Sequence, residues 1–428
     1  MKLNELKTEI QKYQYFEDTS IIDVSLASVI ANRLKLGDPV WLIIIGASSG
    51  GKSQILRPLA MTDEKFIHRV DDLTENTFLS GAKVKGDEPV SLLLRIGNQG
   101  IIVISDFTVL MSKSTESRAT ILSQLRMLYD GEMTKYSGNS PKPIKWPASG
   151  TGYLGMLAGS TPSIYAHFED VADMGERFIY YRMKEADPLK ATRLALSRTV
   201  YGRELDKIMS DMYGDYIKEV VKSIDPAKIE LPENVKERII EVSMFAERVR
   251  TTAHKEWRGE LIDKIPVPAM PMRVALQLTS VVKGLGAIKL YETGSCDFND
   301  EDMGTIDWMA YSLANEEKRA VLKVVASVAF DTKVTTSSIA DMVGLDTKIV
   351  RVILQNLASV GVLDRMGDDG SLTWGFKTES DYNIVRRIEH IKGITELESR
   401  GITAEEEQEA PTEADIFFDS IGNNDRPH

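Results

Sequence analysis

Residues 46–53, of sequence GASSGGKS, fit the phosphate-loop pattern G-x-x-x-x-G-K-[ST]. In that pattern the glycines let backbone N–H groups turn inward around a phosphate, and the following helix points its positive N-terminal end at the anion. Lys52 is predicted to reach the β- and γ-phosphates of a nucleotide, and Ser53 to bind Mg²⁺. The other residues expected to cradle the phosphates are Gly46, Ala47, Ser48, Ser49, Gly50 and Gly51. The alternative, a glycine-rich turn without a ligand, is disfavoured because the motif follows a five-residue apolar stretch and opens a helix.

Asp106 follows the apolar stretch Ile101–Ile104, which predicts a buried strand. A carboxylate at this strand end would lie beside the phosphate loop, where it can hold Mg²⁺ or its waters. The alternative is an aspartate that only caps the strand end. The next residue is Phe107, where a glutamate that polarises the attacking water is often found, so hydrolysis is expected to be slow or to depend on a partner. Possible substitutes, among which the sequence does not choose, are Glu75, Glu116 and Glu132.

Two further polar sites follow the predicted strands. Ser160 or Thr161 ends another apolar stretch and could contact the γ-phosphate or the attacking water, although capping the next helix is an equal alternative. Arg177 precedes the next apolar stretch and should lie at the rim of the domain. It is either an arginine finger given to a neighbour's nucleotide or the partner of a local salt bridge with Glu169 or Glu176.

Strands alternate with helical stretches over residues 40–187, and the apolar Trp41–Ile45 is typical of a buried parallel strand, so an α/β domain is expected there. Residues 1–39 read as helix, and residues 188–314 as a helical domain without strands. Residues 315–393 read as three helices and a hairpin around Asp368-Asp369-Gly370, the pattern of a winged helix. Residues 394–428 are acidic and low in aromatics, and are expected to be disordered.

Composition narrows the class of protein. A length of 428 residues suggests two to four domains, and a single cysteine, Cys296, excludes a disulfide framework and a cysteine-rich zinc site. No apolar run approaches the ~20 residues of a membrane helix, and the N-terminus lacks a signal region, so a cytoplasmic protein with no membrane partner is expected. The net charge is −12, of which residues 394–428 carry −8. The remaining −4 disfavours non-specific coating of nucleic acid but leaves room for a local basic site.

In this order, the motifs resemble those of AAA+ ATPases, and most closely the phage and mobile-element replication ATPases related to minichromosome maintenance helicases. The resemblance implies an α/β P-loop core with a helical lid and a C-terminal winged helix, and ATP and Mg²⁺ as cofactors. It also implies that Arg177 is a finger acting in trans, that Arg273 is the lid's second sensor reaching the γ-phosphate, and that Thr161 or Ser160 is the first sensor. The segments that carry it are Gly46–Ser53, Ile101–Phe107, Leu125–Gly138, Gly159–Pro162, Gly175–Phe178 and Pro271–Leu278.

Residues 129–146 predict a hairpin with a basic loop flanked by Tyr136 and Trp146. In the helicase relatives a hairpin at this place faces the central pore of a ring and contacts DNA through lysines. Lysines that track a backbone beside stacking aromatics suit single-stranded nucleic acid, whereas the alternative is a solvated basic loop. The lysines expected to contact nucleic acid are Lys135, Lys142 and Lys145.

The resemblance therefore predicts a ring, hexameric in the manner of these relatives, that hydrolyses ATP to translocate or unwind DNA during replication of a phage or mobile element. One alternative is a helicase loader or replication initiator that uses ATP as an assembly switch, which the missing glutamate favours. Another is a signalling or defence NTPase with a winged-helix switch. The apolar Ile416-Phe417-Phe418 in the acidic tail could dock on a replication protein, contact the basic loop, or be inert.

Overall fold

The computed structural model describes residues 1–48, 50–80, 91–136, 142–167, 177–251, 267–367 and 372–391. The chain divides into two compact units. Among the described residues, the first unit contains Met1–Thr251 and Val267–Glu316, and the second contains residues 317–391. Over their described residues, the three segments predicted before residue 315 share one compact unit. The tail predicted to be disordered, residues 394–428, lies outside the described residues.

The first unit is built on a parallel sheet of five strands, in the order β2-β3-β6-β1-β7. The predicted α/β core with a parallel sheet is therefore confirmed. β1 is buried along its whole length, as an all-apolar central strand covered on both faces must be. The strands are β1 (Trp41–Ile45), β2 (Ile67–Val70), β3 (Gln99–Ile104), β6 (Tyr153–Ser160) and β7 (Ile179–Arg182), and the hairpin strands β4 (Met133–Lys135) and β5 (Ile144–Trp146) form a separate pair.

Helices surround this sheet and extend beyond it. Between the N-terminus and β7 they are α1 (Leu3–Gln11), α2 (Ser20–Leu34), α3 (Lys52–Met61), α4 (Leu92–Ile96), α5 (Thr108–Met111) and α6 (Thr115–Tyr129). After β7 come α7 (Pro188–Ser197), α8 (Gly202–Ser223), α9 (Glu233–Arg250), α10 (Met272–Thr293) and α11 (Asp300–Tyr311), which confirms a helical region. α10 lies against α2 so closely that a Cβ on Gly284 would be 2.2 Å from the carbonyl oxygen of Ala27.

The second unit contains the three predicted helices, α12 (Glu316–Ala326), α13 (Thr336–Val343) and α14 (Thr347–Ser359), followed by β9 (Leu363–Met366) and β10 (Thr373–Phe376). A short strand that the sequence did not reveal, β8 (Val334–Thr335), pairs with β10 to give an antiparallel sheet of order β8-β10-β9. A last helix, α15 (Glu379–Ile391), follows. The turn predicted at residues 368–370 lies outside the described residues. Across the described ranges of both units, no helix is long and apolar enough to span a bilayer.

Candidate phosphate-binding site

The predicted phosphate loop joins the end of β1, in the interior of the sheet, to the start of α3. Gly51 has a φ of 94°, in the left-handed region that favours glycine, and it directly precedes the helix. A Cβ at this position would also lie 3.2 Å from the ring of Phe16 and 3.3 Å from Nε2 of Gln14. Within the loop, Gly50 N–H donates to the carbonyl oxygen of Ala47 at 3.1 Å. Ser49, predicted to join the cradle, lies outside the described residues.

Lys52 is the first residue of α3, and its side chain folds back over the loop. Its Nζ donates to the carbonyl oxygens of Gly46 and Ala47, both at 2.7 Å. Burial lowers the pKa of this ammonium, while the charge of Asp106 acts in the opposite direction. The structure thus brings Lys52 and Asp106 within electrostatic reach of each other. Ser53, the next residue, is half-buried at the start of the same helix.

Asp106 lies two residues beyond β3, and β6 separates that strand from β1. The carboxylate is exposed. Its Oδ1 accepts hydrogen bonds from the backbone N–H of Thr108, at 2.9 Å, and from the Thr108 hydroxyl. One oxygen therefore bonds within the turn that follows β3, which is compatible with the alternative in which Asp106 only caps the strand end. Oδ2 has no hydrogen-bond partner among the described residues. Capping and metal binding are compatible because a carboxylate has acceptor sites on both oxygens.

The side chain of Phe107 points into the core rather than toward the loop. It is fully buried, and its ring packs edge-on against Phe178 with centroids 5.5 Å apart. A glutamate at this position would bury a carboxylate in an apolar cluster. The three possible substitutes are all exposed, and one of them, Glu75, accepts a hydrogen bond from the hydroxyl of Ser117 at 2.8 Å.

The end of β6 lies directly beside the phosphate loop, because Ser160 pairs with Ile45 and its carbonyl accepts from Gly46 N–H at 3.1 Å. Ser160 itself is buried, and its hydroxyl donates to the carbonyl of Thr161 at 3.2 Å. The hydroxyl of Thr161 lies 2.6 Å from that of Ser163, in the 3₁₀ turn that follows. Thr161 is thus both next to the loop and part of a local turn, so the sensor and capping interpretations both stay open.

The same edge of the sheet fits a nucleotide with a bound Mg²⁺. The hydroxyl of Ser105, directly before Asp106, is buried and lacks a hydrogen-bond partner among the described residues. An orphan polar atom of this kind suits a site whose ligand supplies the partner. No cluster of three or more His, Cys, Asp or Glu side chains occurs in the described ranges. The residues that would hold Mg²⁺ are Ser53 and Asp106, together with phosphate oxygens.

Arg177 lies at the opposite edge of the sheet from the phosphate loop. It precedes β7, whose Ile179 pairs with Leu42 near the start of β1. The loop follows the end of that five-residue strand, about 13 Å away along it. The Arg177 side chain is only 4% exposed, and its Nη2 donates to both carboxylate oxygens of Asp130 at 2.8 Å. The salt-bridge partners predicted for it, Glu169 and Glu176, lie outside the described residues.

Arg273 lies at this same opposite edge. It is exposed, one turn before Gln277, which accepts a hydrogen bond from the backbone N–H of Trp41 at 3.3 Å, where β1 begins. Burial raises the pKa of the Tyr129 hydroxyl, and the charges of Arg177 and Arg273 both act to lower it. The guanidinium of Arg177 lies 5.5 Å from the centroid of the Tyr129 ring, and Arg273 lies on α10 near the start of β1, so both arginines are at the edge away from the phosphate loop.

The basic hairpin is present as the antiparallel pair β4–β5, while its predicted tip lies outside the described residues. Lys135 Nζ donates to Oδ1 of Asn76 at 2.7 Å and to the carbonyl of Glu75 at 3.2 Å. Lys142 and Lys145 are exposed. The side chains of Lys142 and Lys145 are therefore exposed, whereas that of Lys135 is bonded to a neighbouring segment of the chain.

The two aromatic residues of the hairpin differ sharply. Tyr136 is 81% exposed and could stack on a base. Trp146 is buried, and its Nε1 donates to the carbonyl of Gly97 at 2.6 Å. The expectation that Trp146 flanks the loop for stacking is wrong, because its ring anchors the hairpin base against Gly152 instead.

Sequence patterns missed the N-terminal segment that covers the loop. Gln14 and Phe16 approach Gly51, and Met183, just after β7, approaches Gly46. Asp18 fixes this segment to the end of β7, since it pairs with Lys184 at 2.5 Å. These contacts join distant parts of the chain, so no local signal could have predicted them.

Comparison with known proteins gives no match to a family model or a curated protein, and a distant likeness to a solved structure. A solved structure, the A form apo structure of the NrS-1 C-terminal region, is similar over 68% of this chain and 67% of that one, with 11% sequence identity and a TM-score of 0.32. So distant a likeness does not indicate a function.

Proposed function

We propose that this chain is a P-loop ATPase of the AAA+ type whose active sites form between neighbouring copies in a ring. The observation that carries the proposal is the position of the charged groups at two opposite edges of one sheet. Lys52 and Asp106 lie at the edge with the phosphate loop, and Arg177 and Arg273 lie at the other. Because the second edge lies away from the phosphate loop of the same chain, an arginine there would contact the nucleotide bound to another copy.

In this site Lys52 would exchange its two loop carbonyls for the oxygens of the β- and γ-phosphates. Bound Mg²⁺, held by Ser53 and Asp106, would neutralise the charge that develops on those oxygens. Thr161 or Ser160 would contact the γ-phosphate or the attacking water. Arg177, with Arg273, would stabilise the transition state from the adjacent subunit. A head-to-tail interface of this kind closes into a ring, which we propose to be a hexamer.

We further propose that ATP hydrolysis drives movement along single-stranded DNA, in replication of a phage or mobile element. The exposed Lys142, Lys145 and Tyr136 support this, because copies of the hairpin around a ring would give an acidic protein a locally basic channel. The second unit is proposed to be a winged helix, since three helices and a three-stranded antiparallel sheet have that order. The tail at residues 394–428 is proposed to bind a replication protein.

A second candidate function is that of a helicase loader or replication initiator, in which ATP serves as an assembly switch. The burial of Phe107 favours it, because the position that usually activates water cannot do so here. Such a protein would bind ATP and assemble, but would hydrolyse it slowly with or without DNA.

Steady-state ATP hydrolysis with and without single-stranded DNA separates the two candidates. The motor predicts a rate that DNA stimulates and that Lys52→Ala abolishes. Arg177→Ala should abolish hydrolysis while ATP still binds, and Lys236→Ala, an exposed lysine on α9, serves as the charge control. Normal hydrolysis by Arg177→Ala would show the trans assignment to be wrong. A low rate that DNA leaves unchanged would favour the switch.

A further inference from the structure

Asp130 pairs with Arg177 at the edge of the sheet that faces away from the phosphate loop. Both of its carboxylate oxygens accept from Nη2 of the arginine at 2.8 Å. The arginine side chain is 4% exposed, whereas that of the aspartate is 49% exposed. The guanidinium is therefore buried, while the carboxylate that accepts its hydrogen bonds is partly open to solvent.

The end of helix α6 does not explain why an aspartate stands at position 130. Asp130 is the C-terminal cap of α6, and a negative charge at a helix C-terminus is disfavoured by the helix dipole. The pairing with Arg177 offsets that cost. Tyr129 completes the arrangement, because the guanidinium lies 5.5 Å from the centroid of its ring.

Arg273 supplies the reason why a nucleotide could displace the carboxylate. Arg273 is exposed one turn before Gln277, which accepts from the backbone N–H of Trp41 at the start of β1, so α10 brings a second arginine to this edge. A terminal phosphate carries more negative charge than Asp130 and offers three oxygens to the guanidinium. It would therefore replace the carboxylate, and the two anions would repel each other if both stayed.

Resting on the proposed ring, we infer that Asp130 is a positioning residue that holds Arg177 within its own subunit until the γ-phosphate of a neighbouring nucleotide displaces it. The exchange links assembly to the state of the nucleotide, because ADP offers no γ-phosphate to compete with the carboxylate. Asp130 thus weakens association in the absence of ATP and sets the concentration at which ATP assembles the ring.

The test is a concentration series by sedimentation velocity, with a non-hydrolysable ATP analogue, with ADP, and without nucleotide. Asp130→Asn keeps an acceptor of the same shape but removes the charge. It should assemble with the analogue at about fivefold lower concentration than the unmodified protein, or about 1 kcal/mol per interface. Asp130→Ser is a second variant in case the Asp130→Asn protein does not fold. Asp215→Asn, an exposed acid on α8, removes the same charge elsewhere and should behave as the unmodified protein.

The double variant Asp130→Asn/Arg177→Ala distinguishes an effect on Arg177 from a general loss of negative charge. Without Arg177, the change Asp130→Asn should no longer lower the concentration needed for assembly. If Asp130→Asn and Asp130→Ser need the same protein concentration for assembly as the unmodified protein, or a higher one, the inference is overturned. The proposed ring would not be affected by that result. If the unmodified protein does not assemble with the analogue at all, the proposed ring fails, and the inference with it.

Discussion

The burial of Phe107 makes a sharp prediction about the residue that usually activates water in related sites. Introducing that residue as Phe107→Glu should not speed hydrolysis, because position 107 faces the core. Its ring is fully buried against Phe178, and its backbone N–H donates to the carbonyl of Gly159 at 2.7 Å, which fixes the direction of the side chain.

The magnitude follows from two costs. Removing a buried phenylalanine side chain costs about 3–5 kcal/mol. Burying a carboxyl group without a partner raises its pKa by several units, which at neutral pH adds about 3 kcal/mol or more. A loss of at least ~6 kcal/mol is comparable with the whole stability of an ordinary domain, about 5–15 kcal/mol. Phe107→Leu, which keeps an apolar side chain, should cost only about 1 kcal/mol.

Urea unfolding followed by circular dichroism measures both free energies, and steady-state ATP hydrolysis measures the consequence. We expect Phe107→Glu to be largely unfolded or inactive and Phe107→Leu to hydrolyse ATP at the unmodified rate. A Phe107→Glu variant as stable as Phe107→Leu, with faster hydrolysis, would refute the reasoning, since position 107 would then face the phosphates.

Three further predictions concern the loop, a buried acid and the hairpin. Gly51→Ala should lower ATP affinity at least tenfold by calorimetry, because alanine is strained at a φ of 94° and its methyl group would press on the covering segment. Burial raises the pKa of Asp23 to about 6, so the stability that its protonated form contributes is present below about pH 4 and lost as the pH rises through 6. The free energy of unfolding should fall by up to about 3 kcal/mol over that range, and Asp23→Asn should remove this dependence in urea titrations. Lys145→Ala should reduce stimulation by single-stranded DNA more than Lys135→Ala, because Lys135 already donates within the chain.

Each of these has a matched comparison. Gly294→Ala introduces alanine at a φ of 79° with open space around it, so equal loss of ATP affinity in both glycine variants would contradict a local role for Gly51. An unchanged pH slope in Asp23→Asn would mean that another group titrates. Equal stimulation of the unmodified protein and Lys145→Ala would remove the hairpin from the DNA path.

Local sequence patterns were sufficient for the strands of the parallel sheet and for the helical region. Trp41–Ile45 is apolar throughout because both of its faces are covered, and the glycines of the loop carry a recognisable spacing. The order of strands was beyond such patterns. β6 lies between β1 and β3 although it follows both in sequence, and that pairing is decided by contacts between distant residues.

In the candidate site, too, features that depend on contacts between distant residues could not be predicted from local patterns. Residue type alone could not tell that Trp146 would be buried and Tyr136 exposed, since both are aromatic residues of one hairpin. The partner of Arg177 was sought among nearby acids, whereas the structure supplies Asp130, 47 residues away. The cover that Gln14 and Phe16 place over the loop is likewise a long-range contact.

Mixing two inactive variants tests the central claim, that the active site is shared between copies. Lys52→Ala lacks the phosphate-loop lysine and Arg177→Ala lacks the finger, so each alone should be inactive. In an equal mixture, one interface in four joins an intact loop to an intact finger, and hydrolysis should recover to about a quarter of the unmodified rate. No recovery, in a mixture shown by sedimentation to form mixed assemblies, would contradict the shared site.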